Sequence, residues 1–141
     1  MTPKKMLIAG LLTLSATLAY AGYAFAIDFT PSGAVLAVTY TEPSTNSDGS
    51  TLNDLAKTNV YSRVCPVTGT CAATFTKGPD VAASKAAGGG AINTTVTVTI
   101  TPGQERNVEV YATATDLSGN ESVESLHVTK RVDRLSPAEP K

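Results

Sequence analysis

From Thr94 to Thr101 the chain reads T-T-V-T-V-T-I-T. Strict alternation of apolar and polar residues has a period of two, which only an extended strand can sort onto separate faces. Both classes in this run are β-branched or nearly so, and such side chains suit a pleated surface better than a helix. Val96, Val98 and Ile100 are therefore predicted to enter a core, with the threonines facing water. The same period recurs over Ala34–Thr41, where Leu36, Val38 and Tyr40 share one face. It recurs again over Val108–Thr115, with Val108, Val110, Ala112 and Ala114 on one side. Thr58–Val64 reads as a further strand that puts Val60 and Tyr61 on opposite faces. Ser125–Val132 reads as the last strand, with Leu126 and Val128 inward.

Turn-forming residues separate these runs. Glu42-Pro43 ends the first, because Pro has no N–H to give a central ladder. Asp48-Gly49, Pro102-Gly103 and Asp116–Asn120 supply the turn chemistry that hairpins and corners need. Residues 77–93, rich in Ala and Gly, read as a long loop, with room for one helical turn at Val81–Ala87 before Gly88-Gly89-Gly90. No segment past the leader carries a sustained 3.6-residue apolar period. Short alternating strands of this kind predict an all-β, antiparallel β-sandwich of six or seven strands.

The first twenty-six residues are a different material. Lys4 and Lys5 precede the apolar stretch Met6–Leu18, and Ala24-Phe25-Ala26 places small residues where a signal peptidase reads. This predicts an N-terminal signal helix cleaved after Ala26, with Ala21 as a second site. An uncleaved anchor is the competing reading, since Met6–Ala26 is long enough to span a bilayer. The expected organisation is a signal peptide over 1–26, a lead-in or short first strand over 27–33, the sandwich over 34–132, and an extended tail over 133–141. The protein is expected to be exported, to the periplasm or beyond, and free of the membrane once its leader is removed.

The chain has two cysteines. Cys65 and Cys71 flank the turn-rich Pro66–Thr70. Strands over Val60–Val64 and Ala72–Thr76 would form a hairpin, bringing the cysteine Cα atoms within the about 4.4–6.8 Å that a disulfide needs. An oxidising compartment favours that bridge. Free thiols and a metal site are the alternatives, and the second has only His127 to add as an imidazole ligand.

Several motifs resemble a bacterial fibronectin type III domain over about residues 34–132. Val38-Thr39-Tyr40-Thr41-Glu42-Pro43 is similar to the family's second strand and its closing Pro, with Tyr40 where a Trp usually stands. Asp48–Tyr61 resembles the following loop and third strand. Ile100-Thr101-Pro102-Gly103 resembles the family's Leu-x-Pro-Gly turn, and Ala112–Ser122 its sixth strand and loop. The resemblance implies an immunoglobulin-like fold and says nothing of a ligand. Two features depart from it. The family's corner Tyr has no counterpart, and a full first strand is hard to find, since Pro31-Ser32-Gly33 interrupts the chain soon after Ile27. A missing first strand would leave an open sheet edge, and self-association through that edge is the corresponding expectation.

The inventory of reactive groups is thin. His127 is the one histidine, predicted outward on a strand, and no Ser or Cys with an orienting carboxylate is placed beside it by sequence. Asp48 and Asp54 lack the spacing of a calcium loop, and the glycine triplet does not open a helix for phosphate. Net charge is −1, and becomes more acidic without Lys4 and Lys5, which argues against nucleic acid. No enzyme, cofactor or metal is expected. The expected role is a non-catalytic binding or structural module that presents loops or a sheet edge to a protein or polysaccharide at the cell surface. Asp116, Leu117, Ser118, Asn120 and Glu121 form the candidate contact loop. A subunit of an envelope or extracellular assembly joined by strand addition is the alternative, and a small hydrolase or inhibitor using the cysteine loop a third.

Overall fold

The computed structural model describes residues 27–140; the expected leader and its cleavage sites lie outside the described residues. Seven strands follow in order: β1 Asp28–Ser32, β2 Val35–Thr41, β3 Leu55–Cys65, β4 Thr76–Ala82, β5 Ala91–Thr97, β6 Glu105–Asp116 and β7 Val128–Asp133. They form two antiparallel sheets, β1-β2-β5 and β4-β3-β6-β7. The alternation in β2 is the alternation of burial: Leu36, Val38 and Tyr40 face in, while Val35, Ala37, Thr39 and Thr41 face out.

One apolar core lies between the sheets. Phe29, Leu36, Val38, Val96, Val98 and Ile100 approach from one side, and Val60, Val108, Val110, Ala112 and Val132 from the other. Each fully buried Val or Leu stabilises the fold by about 1.5–3 kcal/mol. A polar link crosses this interior. The Tyr40 hydroxyl on β2 lies 2.6 Å from the Thr58 hydroxyl on β3, so one satisfies the other away from water.

Of four expectations, three need correction and one is decided between its alternatives. Residues 77–93 are not one long loop: they contain β4 and the start of β5, and Val81–Ala87 forms no helix. β4 escaped notice because it is an edge strand, exposed on most of its length, and so carries no alternation. Gly78 within it is pressed by the backbone, an added Cβ meeting the Val60 carbonyl oxygen at 3.0 Å. Second, residues 27–33, open between a lead-in and a short first strand, contain the strand. It runs through Pro31, which lies opposite Leu36.

Third, Ala72–Phe75 is not a strand, and the return arm of the hairpin begins at Thr76. The bridge forms nonetheless, with Cα atoms 4.7 Å apart. Fourth, Leu126 is exposed rather than inward, and Ser125 beside it is buried. Regular pairing begins only at Val128. Before that, two serines do the work of a strand. Ser122 Oγ accepts the Ala114 N–H and Ser125 Oγ accepts the Ala112 N–H, each at 2.9 Å. Their own N–H groups donate to the carbonyls of the same two alanines. Residues 121–126 are thereby held against β6 without a regular ladder.

Candidate functional site: the outer face of the four-stranded sheet

Tyr61 and Arg63 of β3 and Glu109 and Tyr111 of β6 lie on the face of the sheet away from the apolar core. The register sets Tyr61 opposite Tyr111 and Arg63 opposite Glu109. The Tyr61 and Tyr111 rings stack at 4.8 Å between centroids, 11° from parallel. His127, just ahead of β7, stacks on the other side of Tyr111 at 4.8 Å and 13°. Phe75, just ahead of β4, closes the row edge-on, 4.7 Å from Tyr111 and 5.3 Å from His127. Arg63 lies over the Phe75 ring at 4.3 Å, a cation–π contact. Four segments distant in sequence thus meet in one aromatic row.

Carboxylates surround the row. Glu109 accepts from Arg63 Nε at 2.7 Å and pairs with His127 Nδ1 at 2.6 Å. Glu124 pairs with His127 Nε2 at 3.0 Å. Glu121 Oε1 accepts from the Tyr61 hydroxyl at 3.0 Å and the Thr113 hydroxyl at 2.6 Å. Burial pushes the Tyr111 hydroxyl up to about 12, with the Glu124 charge adding to the shift. Both ring nitrogens of His127 are engaged by carboxylates. The ring is suited to carry a proton between them, and in this arrangement offers no free lone pair as a base.

The pair titrates with opposite signs. Burial pushes His127 down, but its hydrogen bonds to Glu109 and Glu124 outweigh this and hold it above its ordinary 6.5. Burial pushes Glu109 up, but His127 and Arg63 outweigh this and hold it below its ordinary 4.5. Stabilisation from His127 is complete below pH 6.5 and is lost as pH rises through its raised value. Stabilisation from Glu109 is complete above pH 4.5 and is lost as pH falls through its lowered value. The contribution of this pair to the melting temperature is therefore greatest between pH 4.5 and 6.5. A His127→Asn protein is expected to lose the decline on the alkaline side. Parallel melting curves for parent and variant above pH 6.5 would refute the assignment.

The loop singled out by sequence borders this face, and its residues divide by role. Asp116 accepts from the Asn120 N–H at 2.9 Å and the Asn120 Nδ2 at 2.8 Å, and its carbonyl accepts the Gly119 N–H. Asp116 and Asn120 therefore close the turn, and the Asn120 hydrogen bonds hold the Asp116 carboxyl below its ordinary value. Glu121 anchors the end of the loop to the aromatic row. Leu117 and Ser118 point outward. Leu117 is 74% exposed, and Val123 and Leu126, farther along the same segment, are 88% and 68% exposed. Among the described residues, three of the five exposed large apolar side chains thus fall within residues 117–126.

The Cys65 and Cys71 sulfurs and a Glu109 carboxylate oxygen lie within 4.8 Å of one another. The sulfurs are bonded to each other, so neither offers a thiolate to a metal. Sequence reasoning missed the aromatic row and the exposed apolar trio. Tyr61 and Tyr111 fall at outward positions of their strands, which was a usable signal, but their adjacency depends on a cross-strand register. No family model, curated protein or solved structure matches this chain.

Proposed function

We propose that the protein is an exported, non-catalytic binding module of the fibronectin type III kind, which holds a protein partner at the cell surface through residues 117–126. The observation that carries this reading is the clustering of Leu117, Val123 and Leu126, all exposed, on one segment fastened to the sheet. Exposed large apolar side chains gathered on one short segment are the material of a contact surface, whereas singly scattered ones need no explanation. Fastening matters because a segment already ordered loses little entropy when a partner arrives. Exposed aliphatic side chains favour a protein over a polysaccharide, whose hydroxyls need polar partners. The Cys65–Cys71 bridge supports an oxidising compartment. Two antiparallel sheets around one core, and a Pro102-Gly103 turn closed by the Gln104 N–H on the Thr101 carbonyl, support the family assignment.

The test is affinity capture from the cell-envelope fraction with the parent and with a Leu117→Ser, Val123→Ser, Leu126→Ser triple variant. The parent is expected to retain a discrete protein that the variant loses. Exposed positions of this kind change stability by only about 0.5 kcal/mol each, so both proteins should melt alike. Equal retention by the two, or retention of polysaccharide alone, would overturn the reading.

A further inference from the structure

We propose that β5 is a docking edge for a second copy of this chain, the two β5 strands pairing antiparallel about a two-fold axis. A β-sandwich of two open sheets has four edge strands, here β1, β5, β4 and β7. Unpaired edges invite strand addition, and folded proteins block them with proline, charge or irregularity.

Three of these edges are blocked. The Glu42 N–H donates to the Gly90 carbonyl and the Val98 N–H to the Ala34 carbonyl, so even-numbered residues of β2 and β5 form the bonds between these strands. Leu36 therefore turns its backbone toward β5. Pro31, opposite Leu36 on β1, turns its own backbone outward, where its missing N–H costs the ladder nothing and removes a donor from the edge. β4 carries Gly78-Pro79, shifts register between Asn59 and Tyr61 of its partner, and holds Asp80 between Lys57 and Lys77. β7 bears Lys130, Arg131 and Asp133.

β5 has none of these devices. Ala91–Thr97 contains no charge, no proline and no register shift. By the same parity, the backbones of Ala91, Asn93, Thr95 and Thr97 point to the free edge. No backbone bond is made on that side among the described residues. Self-pairing centred on Thr94 would set Asn93 opposite Thr95 and Ala91 opposite Thr97 on the outer face, and Ile92 opposite Val96 on the inner. Apolar meets apolar, polar meets polar, and no like charges approach. That self-complementarity is why the occupant is a second copy: a two-fold contact uses the same patch on both chains. Such an edge contact buries little area, so association is expected to be reversible and concentration-dependent.

Parity also supplies the test. Thr95→Pro removes an N–H from the free edge and leaves every bond to β2 in place. Sedimentation of the purified protein over a concentration series is expected to show the mass rising toward twice that of one chain. Thr95→Pro should remain at the single-chain mass with the parent's circular-dichroism spectrum. If that variant fails to fold, Thr95→Lys, which keeps the N–H and adds a charge at the edge, should likewise stay single. A parent that sediments as one chain throughout overturns the proposal. So does association that survives both substitutions, association abolished instead by the 117–126 triple variant, or a different polypeptide found in place of the second copy.

Discussion

Val110→Asp is expected to yield a chain with no cooperative unfolding transition. Val110 lies in the middle of β6, fully buried, with Ser62 of β3 and Val128 of β7 as its flanking partners. An aspartate there meets no cation: the inner face around it is Val60, Val108 and Ala112. An unpaired buried charge costs several kcal/mol even after relaxation, and taking up a proton to avoid the charge still strands a polar group. A domain of this size is held by only about 5–15 kcal/mol, so that single change consumes most of the margin. Far-UV circular dichroism on heating reads the outcome. A sigmoidal melt within a few degrees of the parent's would mean that the facing of β6 has been assigned backwards.

The second large effect is expected at Gly88, on a segment that reads in sequence as a tolerant spacer. Its φ is +61°, a left-handed conformation that costs an L-residue about 1–2 kcal/mol. Space is the greater obstacle. A Cβ at Gly88 would sit 1.8 Å from the Pro43 carbonyl oxygen and 3.3 Å from Leu55 Cδ2. The segment cannot simply withdraw, because it is tied on both sides. The Gly89 N–H donates to Pro43, the Glu42 N–H donates to Gly90, and the Leu55 N–H donates to Ala86. The Glu42 carboxylate, 3% exposed, accepts the N–H and hydroxyl of Ser84 and the N–H of Gly90. Gly88→Ala is expected to destabilise by about 2–4 kcal/mol. Gly49→Ala is the comparison: φ there is +85°, yet nothing lies within 4 Å of the added carbon. Its cost should be only the backbone strain. Urea midpoints that fall equally for the two variants would remove the steric explanation.

Strands were legible where one face meets the core and the other meets water. β2 and the apolar positions Val96, Val98 and Ile100 follow that pattern; on β6, Val108, Val110, Ala112 and Ala114 are buried as the alternation placed them, while Tyr111, Thr113 and Thr115 on the other face are covered too. β4 was not legible, since an edge strand exposed on both faces has no reason to alternate. Leu126 misled for a related reason. Hydrophobicity predicts burial only where tertiary packing supplies a place, and here Ser125 took the inward position because its hydroxyl satisfies a β6 donor. The cysteine bridge was legible from local spacing, whereas the glycine segment's packing on Pro43 was not. Contacts between residues far apart in sequence leave no local trace. The aromatic row failed to appear for that reason too: Tyr61, Phe75, Tyr111 and His127 are neighbours only after three cross-strand registers are set.

The serine fastening of residues 121–126 has a consequence for how this surface can vary. Ser122 and Ser125 carry the attachment to β6 and Glu121 carries the attachment to Tyr61, while Val123 and Leu126 are outside that framework. Drift at the unfastened positions can therefore alter shape and stickiness without loosening the underlying scaffold. One body can be refitted for another mate by exchanging a few outward side chains, the rivets staying where they are.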